Sequence, residues 1–382
     1  MPAIEQTPQQ RRAEIAGGGI AGLTAAAVLA KYGWSVRVHE RASELREIGA
    51  GIFIWENALR SLEEIGAAEE LSAHWHRVEN HQLRDHKGTL LQDNWLRNSR
   101  LYTARRTDLH RAIANAARRA GVEIVTSSPV AFARPEGVLV MEGGEEIRAD
   151  LVIGADGVNS RVRDSLDLSL IKVNLRDGCG RYLVPRKPED GDGITTEAWV
   201  AGRRIGIAPV SEDQVYLFLC GPEKDRGASD QNPFKPEPWI ESYPQYRDYI
   251  ERIPRDGQTR WAPFYEVETK SWKSGRVALL GDAAHAMAPN LGQAACVSMT
   301  NAIALAYALE REHDVERALQ QWEQSERRVA DATQRYSRLY GRIGTRWPKR
   351  LQAFRSLLLR TVMRAPAVQH RVNSAATYFP TK

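Results

Sequence analysis

The six residues Gly17-Gly18-Gly19-Ile20-Ala21-Gly22 have the G-x-G-x-x-G spacing that lets a chain hold a pyrophosphate. The first glycine permits a tight turn, the second lets backbone N–H groups approach the phosphates, and the third lets a helix pack close against a strand. Glu40, about 20 residues onward, stands where an acidic side chain can bond a ribose hydroxyl. Chance alone places such a pattern among 29 glycines now and then, so its weight rests on what flanks it. Ala13 to Ala16 is a short run, apolar apart from Glu14, Leu23 to Tyr32 is Ala- and Leu-rich, and Ser35 to His39 reads as a second strand. Together these predict a strand, turn, helix, strand unit whose helix N-terminus presents its positive dipole end to phosphates. The unit leaves open whether the dinucleotide is FAD or NAD.

Further blocks follow. Gly49-Ala50-Gly51-Ile52-Phe53-Ile54-Trp55 is a glycine-rich entry into a β-rich run, where backbone can lie close against a flat ligand. Residues 76–96, with His81 and His86, read as strands leaving the nucleotide unit. Arg106, ahead of Asp108-Leu109-His110, opens a helix through Arg119, with the acid in its first turn. Two apolar runs end in glycine and acid, Leu151 to Gly157 and Val277 to Asp282, which places both acids at the carboxyl end of a parallel sheet. Between them, Arg181 to Val184, Thr196 to Val200, Arg204 to Ala208 and Val215 to Cys220 predict a second, antiparallel sheet. After Pro289-Asn290-Leu291-Gly292-Gln293-Ala294 a helix begins near Ala295, with its N-terminus within reach of a ligand. Val315 to Arg342 predicts a long polar helix and Lys349 to Arg364 a basic amphipathic one.

The composition narrows the function classes. With 382 residues and 42% hydrophobic content the chain has room for two or three domains with sizeable cores. Met1 to Arg11 lacks an apolar signal core and no run reaches the ~18 apolar residues of a membrane span, so a cytoplasmic protein is expected. Cys179, Cys220 and Cys296 form no C-x-x-C, which fits a reducing compartment and points to neither structural disulfides nor a metal site. The net charge of +5 favours acidic small molecules modestly, and its arginines are spread along the chain instead of forming the clustered basic face a nucleic-acid partner needs. No G-x-S-x-G, H-E-x-x-H or G-x-x-x-x-G-K occurs.

In fixed order, G-G-G-I-A-G with Glu40, Arg106 before Asp108-Leu109-His110, Gly154-Ala155-Asp156-Gly157, and Gly281-Asp282-Ala283-Ala284-His285 with Pro289 resemble the single-component flavoprotein aromatic hydroxylases, the p-hydroxybenzoate hydroxylase family. Arg11-Arg12-Ala13-Glu14, the run from Gly49 to Trp55 with Asn57, and Asn301-Ala302 are most similar to its branch of hydroxypyridine-carboxylate oxygenases. The resemblance implies an α/β fold: a Rossmann-like FAD-binding domain (residues 1–75, 100–166 and 266–330), an antiparallel β-sheet substrate domain (76–99 and 167–265) and a C-terminal helical region (331–382).

It also implies FAD, with NADH or NADPH as co-substrate, and dioxygen as the source of an oxygen atom for a hydroxylated aromatic acid, a pyridine carboxylate above all, with ring opening as an extension. The implied cofactor set is Gly17, Gly19, Ala21, Gly22, Glu40, Arg41, Arg46, Arg106, Val130, Asp156, Asp282, Gly292, Gln293 and Ala294. The implied substrate set is Arg204, Tyr216, His81 and Trp55, with Pro289, Tyr216 and His81 taking part in catalysis. An arginine fork suits a carboxylate. Read from the residues alone, Arg204 is equally a solvated hairpin charge and His81 an exposed loop histidine.

The chain departs from the family where G-Q-G is Gly292-Gln293-Ala294 and where an acidic pair is Thr300-Asn301. A flavin dehydrogenase or halogenase and a flavin-binding redox sensor are the competing classes, although no W-x-W-x-I-P stretch supports halogenation. A homodimer is compatible with these expectations. For the basic C-terminal helix, docking on the body is weighed above a membrane surface.

Overall fold

The computed structural model describes residues 10–46, 49–97, 99–229, 232–255, 261–362 and 374–382. Arg12–Ala16 lies in parallel between Ser35–His39 and Leu151–Gly154, and burial on both faces explains its nearly unbroken apolar run. Glu123–Val125, Val277–Leu279 and the short Lys273–Ser274 complete a six-stranded sheet, antiparallel only at that last strand. Glu14, the break in the run, is buried but paired, with its oxygens 2.5 Å from Arg12 Nη2 and 2.7 Å from His39 Nε2. The helix Ile20–Lys31 packs between this sheet and the helices Arg106–Arg119 and Ala294–Arg311, which accounts for its Ala-rich, largely buried surface.

A second sheet has seven strands in the order Ala262–Thr269, Ser169–Pro185, Gln214–Pro222, Arg203–Pro209, Ile194–Val200, Asn80–Arg84 and Leu90–Trp95. It is antiparallel as expected except at one place, where Asn80–Arg84 runs parallel to Ile194–Val200. These strands come from distant parts of the chain, so no hairpin constrains their direction. Ser169–Pro185 is far longer than the expected Arg181 to Val184, because its first half pairs with Ala262–Thr269 and its second with Gln214–Pro222. Leu170, Ile171 and Val173 in that first half are exposed, so no inward-facing alternation marks it in the sequence.

Gly51–Trp55, Leu101–Arg105 and Trp75–Val78 form a three-stranded antiparallel sheet. Residues 76–78 therefore pair within that sheet and only 80–95 reach the seven-stranded one. The expected boundary at residue 330 falls inside the continuous helix Val315–Thr345. That helix is a strut. Trp322 Nε1 donates to Asn301 O at 2.9 Å near one end, and Tyr340 OH donates to Glu197 of the seven-stranded sheet at 2.9 Å near the other.

The helix Gln352–Val362 docks through Arg355, which is 1% exposed and donates to the carbonyls of Trp199, Ile343 and Gly344. Its apolar residues Phe354, Leu357 and Leu358 are exposed, and the remainder of the expected Lys349 to Arg364 segment, residues 363–364, lies outside the described residues. Among the described residues no helix is long and apolar enough to cross a membrane.

Candidate active site

The glycine loop sits at the carboxyl edge of the six-stranded sheet. Gly17 has a φ of +108°, and a Cβ there would stand 2.4 Å from Ala155 O. A Cβ on Gly22 would stand 2.1 Å from Gly17 O, so these two glycines serve loop and helix packing. A Cβ on Gly19 meets nothing within 4 Å, and Gly19, Ile20 and Ala21 line a cleft with Asp282 and Arg106.

Two helix N-termini meet in this cleft. Ile20–Lys31 and Ala294–Arg311 each start without a capping side chain and without an acid in the first turn. Their first N–H groups have no intrahelical acceptor, so both present donors and positive dipole ends to a bound anion. Open space over Gly19, the uncapped start of Ile20–Lys31 and the Arg106 guanidinium fit a dinucleotide pyrophosphate, and FAD in particular because the cleft runs on, past the second uncapped helix start, into a second cavity. Arg106, Arg181, Pro289, Ala294 and Ala295 line both.

Other expected cofactor residues take different places. Glu40 accepts the N–H groups of Gly18 and Ala42, both at 2.9 Å, and so shapes the loop. Asp156 caps the next helix by accepting from Arg161 N at 2.7 Å, while its buried Oδ1 has no hydrogen-bond partner among the described residues. Arg41, Arg46 and Val130 line neither cavity. The turn after Glu40 is tied to the segment at Ser127, with Ser128 N donating to Glu40 O and Ser127 N to Ala42 O, and Arg46 pairs with Glu44 in solvent.

The second cavity lies between the three-stranded and seven-stranded sheets. Phe53, Trp55, Phe218 and Leu291 give it apolar and aromatic walls, and His81, Arg181, Glu197, Arg204 and Tyr216 are among its ionisable groups. Pro289, Gly292, Gln293 and Ala294 all line this cavity, and Pro289 and Ala294 line the cleft as well. His81, Trp55, Arg204 and Tyr216 therefore come together.

The solvated readings of Arg204 and His81 are corrected. Arg204 is 2% exposed, with Nη1 3.5 Å from Glu197 Oε1 and Nη2 donating to Asn290 Oδ1. Burial opposes its charge, but Cys220, Glu197, Tyr340 and Asp177 hold its guanidinium protonated. Glu197 also accepts from Trp199 Nε1 at 2.7 Å. His81 faces Thr195 across the parallel pair, Nδ1 2.8 Å from the hydroxyl oxygen, and burial pushes its imidazole below 6.5 towards the neutral form, with Glu197 opposing in part. Burial likewise raises the Tyr216 phenol well above 10. The Nε1 of Trp55 and the Nε of Arg204 are buried donors without a partner among the described residues.

Sequence reasoning missed Arg181, Glu197, Tyr340 and Asn290. Their signal is weak in one dimension, because an arginine or glutamate on a strand ordinarily reads as a solvated face. Asn290 Nδ2 donates to Ser337 O at 2.8 Å while its Oδ1 accepts from Arg204, so the long helix fixes both Arg204 and the turn at Pro289.

His285, in the Gly-Asp block, lies 5.0 Å from Trp272 by ring centroids, with Nε2 3.0 Å from Asn301 Nδ2. Burial pushes it down to about 4, and the Asn301 amide, a donor, matches a neutral ring that accepts at Nε2. Asn301, a departure from the family's acid, is thus suited to a neutral histidine. As pH falls from 6.5 towards 4, the unfolded chain takes up a proton that the folded chain refuses, and stability is lost across that window. The full loss is roughly 3 kcal/mol. Denaturant unfolding at pH 7 and 4.5 is expected to show a steeper acid decline in the native protein than in His285→Asn, and equal slopes would refute it.

Comparison with known proteins gives the same picture. An FAD binding domain family model matches residues 12–337. A probable 2-heptyl-3-hydroxy-4(1H)-quinolone synthase from Rhodococcus erythropolis is 40% identical over 336 residues, 86% of this chain and 87% of its own. A 3-amino-4-hydroxybenzoate 2-monooxygenase from Streptomyces cremeus is 32% identical over 308 residues, covering 74% and 75%. Among solved structures, the tetrameric form of 2-methyl-3-hydroxypyridine-5-carboxylic acid oxygenase superposes with a TM-score of 0.86 at 36% identity, covering 97% of each chain.

Proposed function

Because the chain belongs to the FAD-dependent aromatic monooxygenases of the p-hydroxybenzoate hydroxylase type, we propose that it uses NADH or NADPH and dioxygen to place one oxygen atom on an N-heteroaromatic ring bearing a hydroxyl or keto group. The observation that carries the ring type is the pairing of Arg204 with Glu197 inside an aromatic cavity. An arginine already opposed by a carboxylate suits a polar or partly ionised ring oxygen better than a fully charged carboxylate. A 4-quinolone meets that description, as in the product named for the Rhodococcus relative. A pyridine carboxylate is the second reading, favoured by Arg181, which lines the cavity with Arg204 and pairs with no carboxylate among the described residues.

FAD, when bound, supplies hydride acceptance from the nicotinamide and the activation of dioxygen. The chain supplies position and charge. Gly19 to Ala21 and Arg106 would hold the pyrophosphate side, with Asp282 towards the sugar hydroxyls and Glu40 shaping the glycine loop. The N–H groups at the start of Ala294–Arg311, reached through Pro289 to Gln293, would stabilise negative charge on the flavin. Arg204 and Tyr216 orient the substrate's ring oxygen, and Trp55 bounds the ring. His81, kept neutral and fixed through Thr195, accepts the proton of a substrate hydroxyl and so raises the ring's electron density. Phe53, Phe218 and Leu291 exclude water that would divert reduced oxygen to hydrogen peroxide.

The test is oxygen uptake and NAD(P)H oxidation by the purified yellow protein with 2-alkyl-4(1H)-quinolones, hydroxypyridine carboxylates and hydroxybenzoates, with products weighed for added oxygen. A quinolone gaining one oxygen is expected. A protein that holds FAD and couples oxygen to none of these rings would refute the assignment and favour a dehydrogenase or sensor. His81→Phe is expected to lower kcat by about 10²-fold or more with hydroxylated rings, read in the same assay.

A further inference from the structure

Cys179 and Cys220 are left unused by this chemistry. They stand directly opposite one another where Ser169–Pro185 pairs with Gln214–Pro222. Their sulfurs are 3.0 Å apart, with the Cys220 thiol donating to Cys179, and both line the ring cavity. Opposed residues of an antiparallel ladder have Cα atoms about 4.5–5.5 Å apart, inside the range a disulfide spans. The bond itself needs about 2.05 Å between sulfurs, so closing it draws the two side chains together by about 1 Å without separating the strands.

We propose that Cys179 and Cys220 form a dithiol modification site in the wall of the ring cavity, which hydrogen peroxide converts into a cross-strand disulfide. Peroxide is the product whenever oxygen is reduced beside this cavity without transfer to a ring. The Cys179 sulfur, as thiolate, attacks one peroxide oxygen and the O–O bond breaks, leaving a sulfenic acid and hydroxide. The Cys220 sulfur then attacks the Cys179 sulfur and the sulfenic oxygen departs as water. In sum, two thiols and one hydrogen peroxide give one disulfide and two waters, with two electrons passing from sulfur to oxygen.

The surroundings assign the order of attack. Burial works against a Cys179 thiolate, but the thiol donated by Cys220 and the charges of Arg181 and Arg204 outweigh it and bring Cys179 below the ordinary thiol value. Burial and the neighbouring Cys179 push Cys220 well above it. Cys179 is therefore the attacking sulfur and Cys220 the resolving one. Cys296 is also buried, but burial raises it to about 12, and its sulfur contacts the carbonyls of Phe53 and Gly292 with no thiol partner. The disulfide reshapes the cavity wall at Cys220, the register partner of Arg204, so ring binding is expected to weaken.

The experiment treats reduced, FAD-loaded protein with stoichiometric hydrogen peroxide, blocks remaining thiols, and maps peptides by mass spectrometry without reductant. The expected result is one crosslinked pair carrying Cys179 and Cys220, with Cys296 blocked as a free thiol and the crosslink released by dithiothreitol. Sulfinic or sulfonic acid on either cysteine without crosslink, or both thiols still blockable, overturns the inference. Cys220→Ala should leave no peroxide-dependent crosslink, and one from Cys179 to Cys296 would also overturn it. For whichever ring compound is hydroxylated, KM should rise about fivefold on oxidation and return with dithiothreitol. An unchanged KM with the crosslink formed removes the effect on ring binding. The mass readout does not rest on the proposed substrate, so a protein that crosslinks and hydroxylates no ring keeps this inference and refutes the substrate reading.

Discussion

Arg204→Ala is expected to lower kcat/KM for the ring substrate by about 100-fold and to cost about 3–5 kcal/mol of stability, with FAD content unchanged. Two losses combine. The substrate loses a charged donor, worth roughly 1.5–3 kcal/mol, and Glu197 is left buried without its cation. The separation is experimental. Arg204→Met with Glu197→Gln removes both charges of the pair at similar volume, and stability should recover most of its loss because a buried ion pair contributes little net once both partners go. Turnover should not recover, since the donor remains absent. Steady-state kinetics and denaturant melts of the single and double variants check this. Wild-type turnover in Arg204→Ala would dismiss Arg204 as the anchor, and a double variant as unstable as the single one would dismiss Glu197 as its partner. Asn290 bears on the same result, because it links Arg204 to the turn at Pro289.

The glycine loop yields the second large effect, as a contrast between neighbours. In Gly22→Ala the new methyl stands 2.1 Å from the Gly17 carbonyl oxygen, so the helix Ile20–Lys31 must move off the loop. Overpacking of this kind costs about 1–3 kcal/mol, and the protein should both melt earlier and come off the column without flavin. Gly19→Ala differs because its backbone, with φ of −78° and ψ of −178°, suits any residue and the added carbon meets no protein atom within 4 Å. The apoprotein should melt within about 0.5 kcal/mol of wild type. Its methyl nevertheless projects into the cleft where backbone N–H groups must reach a pyrophosphate, and FAD affinity should fall by about 100-fold. Flavin fluorescence titration of the apoproteins, beside their melting temperatures, decides it. Unimpaired FAD binding by Gly19→Ala would move the pyrophosphate away from this loop.

The dinucleotide-binding half of the molecule was legible in the sequence. The unit from Arg12 to Glu40 is legible because its parts are local: a buried strand, three glycines at fixed spacing and an Ala-rich helix must lie together wherever they occur in that order. The acids after Leu151–Gly154 and Val277–Leu279 are legible for the same reason, since a short apolar run ending in glycine marks the carboxyl edge of a parallel sheet. The ring cavity was only half legible. Arg204 and Tyr216 could be placed on neighbouring strands, and Ala208 is in fact the register partner of Tyr216 and Cys220 that of Arg204.

What those side chains meet was decided by the tertiary structure alone. His81 is held by Thr195, 114 residues away across a parallel pair that no hairpin foretells. Arg204 is fixed by Asn290, 86 residues on, and the Cys179 and Cys220 sulfurs meet over a separation of 41. A polar residue lining a cavity has the same local pattern as one facing water, because alternation along a strand records which face it occupies and not what covers that face. Whether it is solvated or buried against a partner depends on the second sheet and on the long helix laid across it. Only their packing turns an arginine that reads as surface into the buried centre of the site.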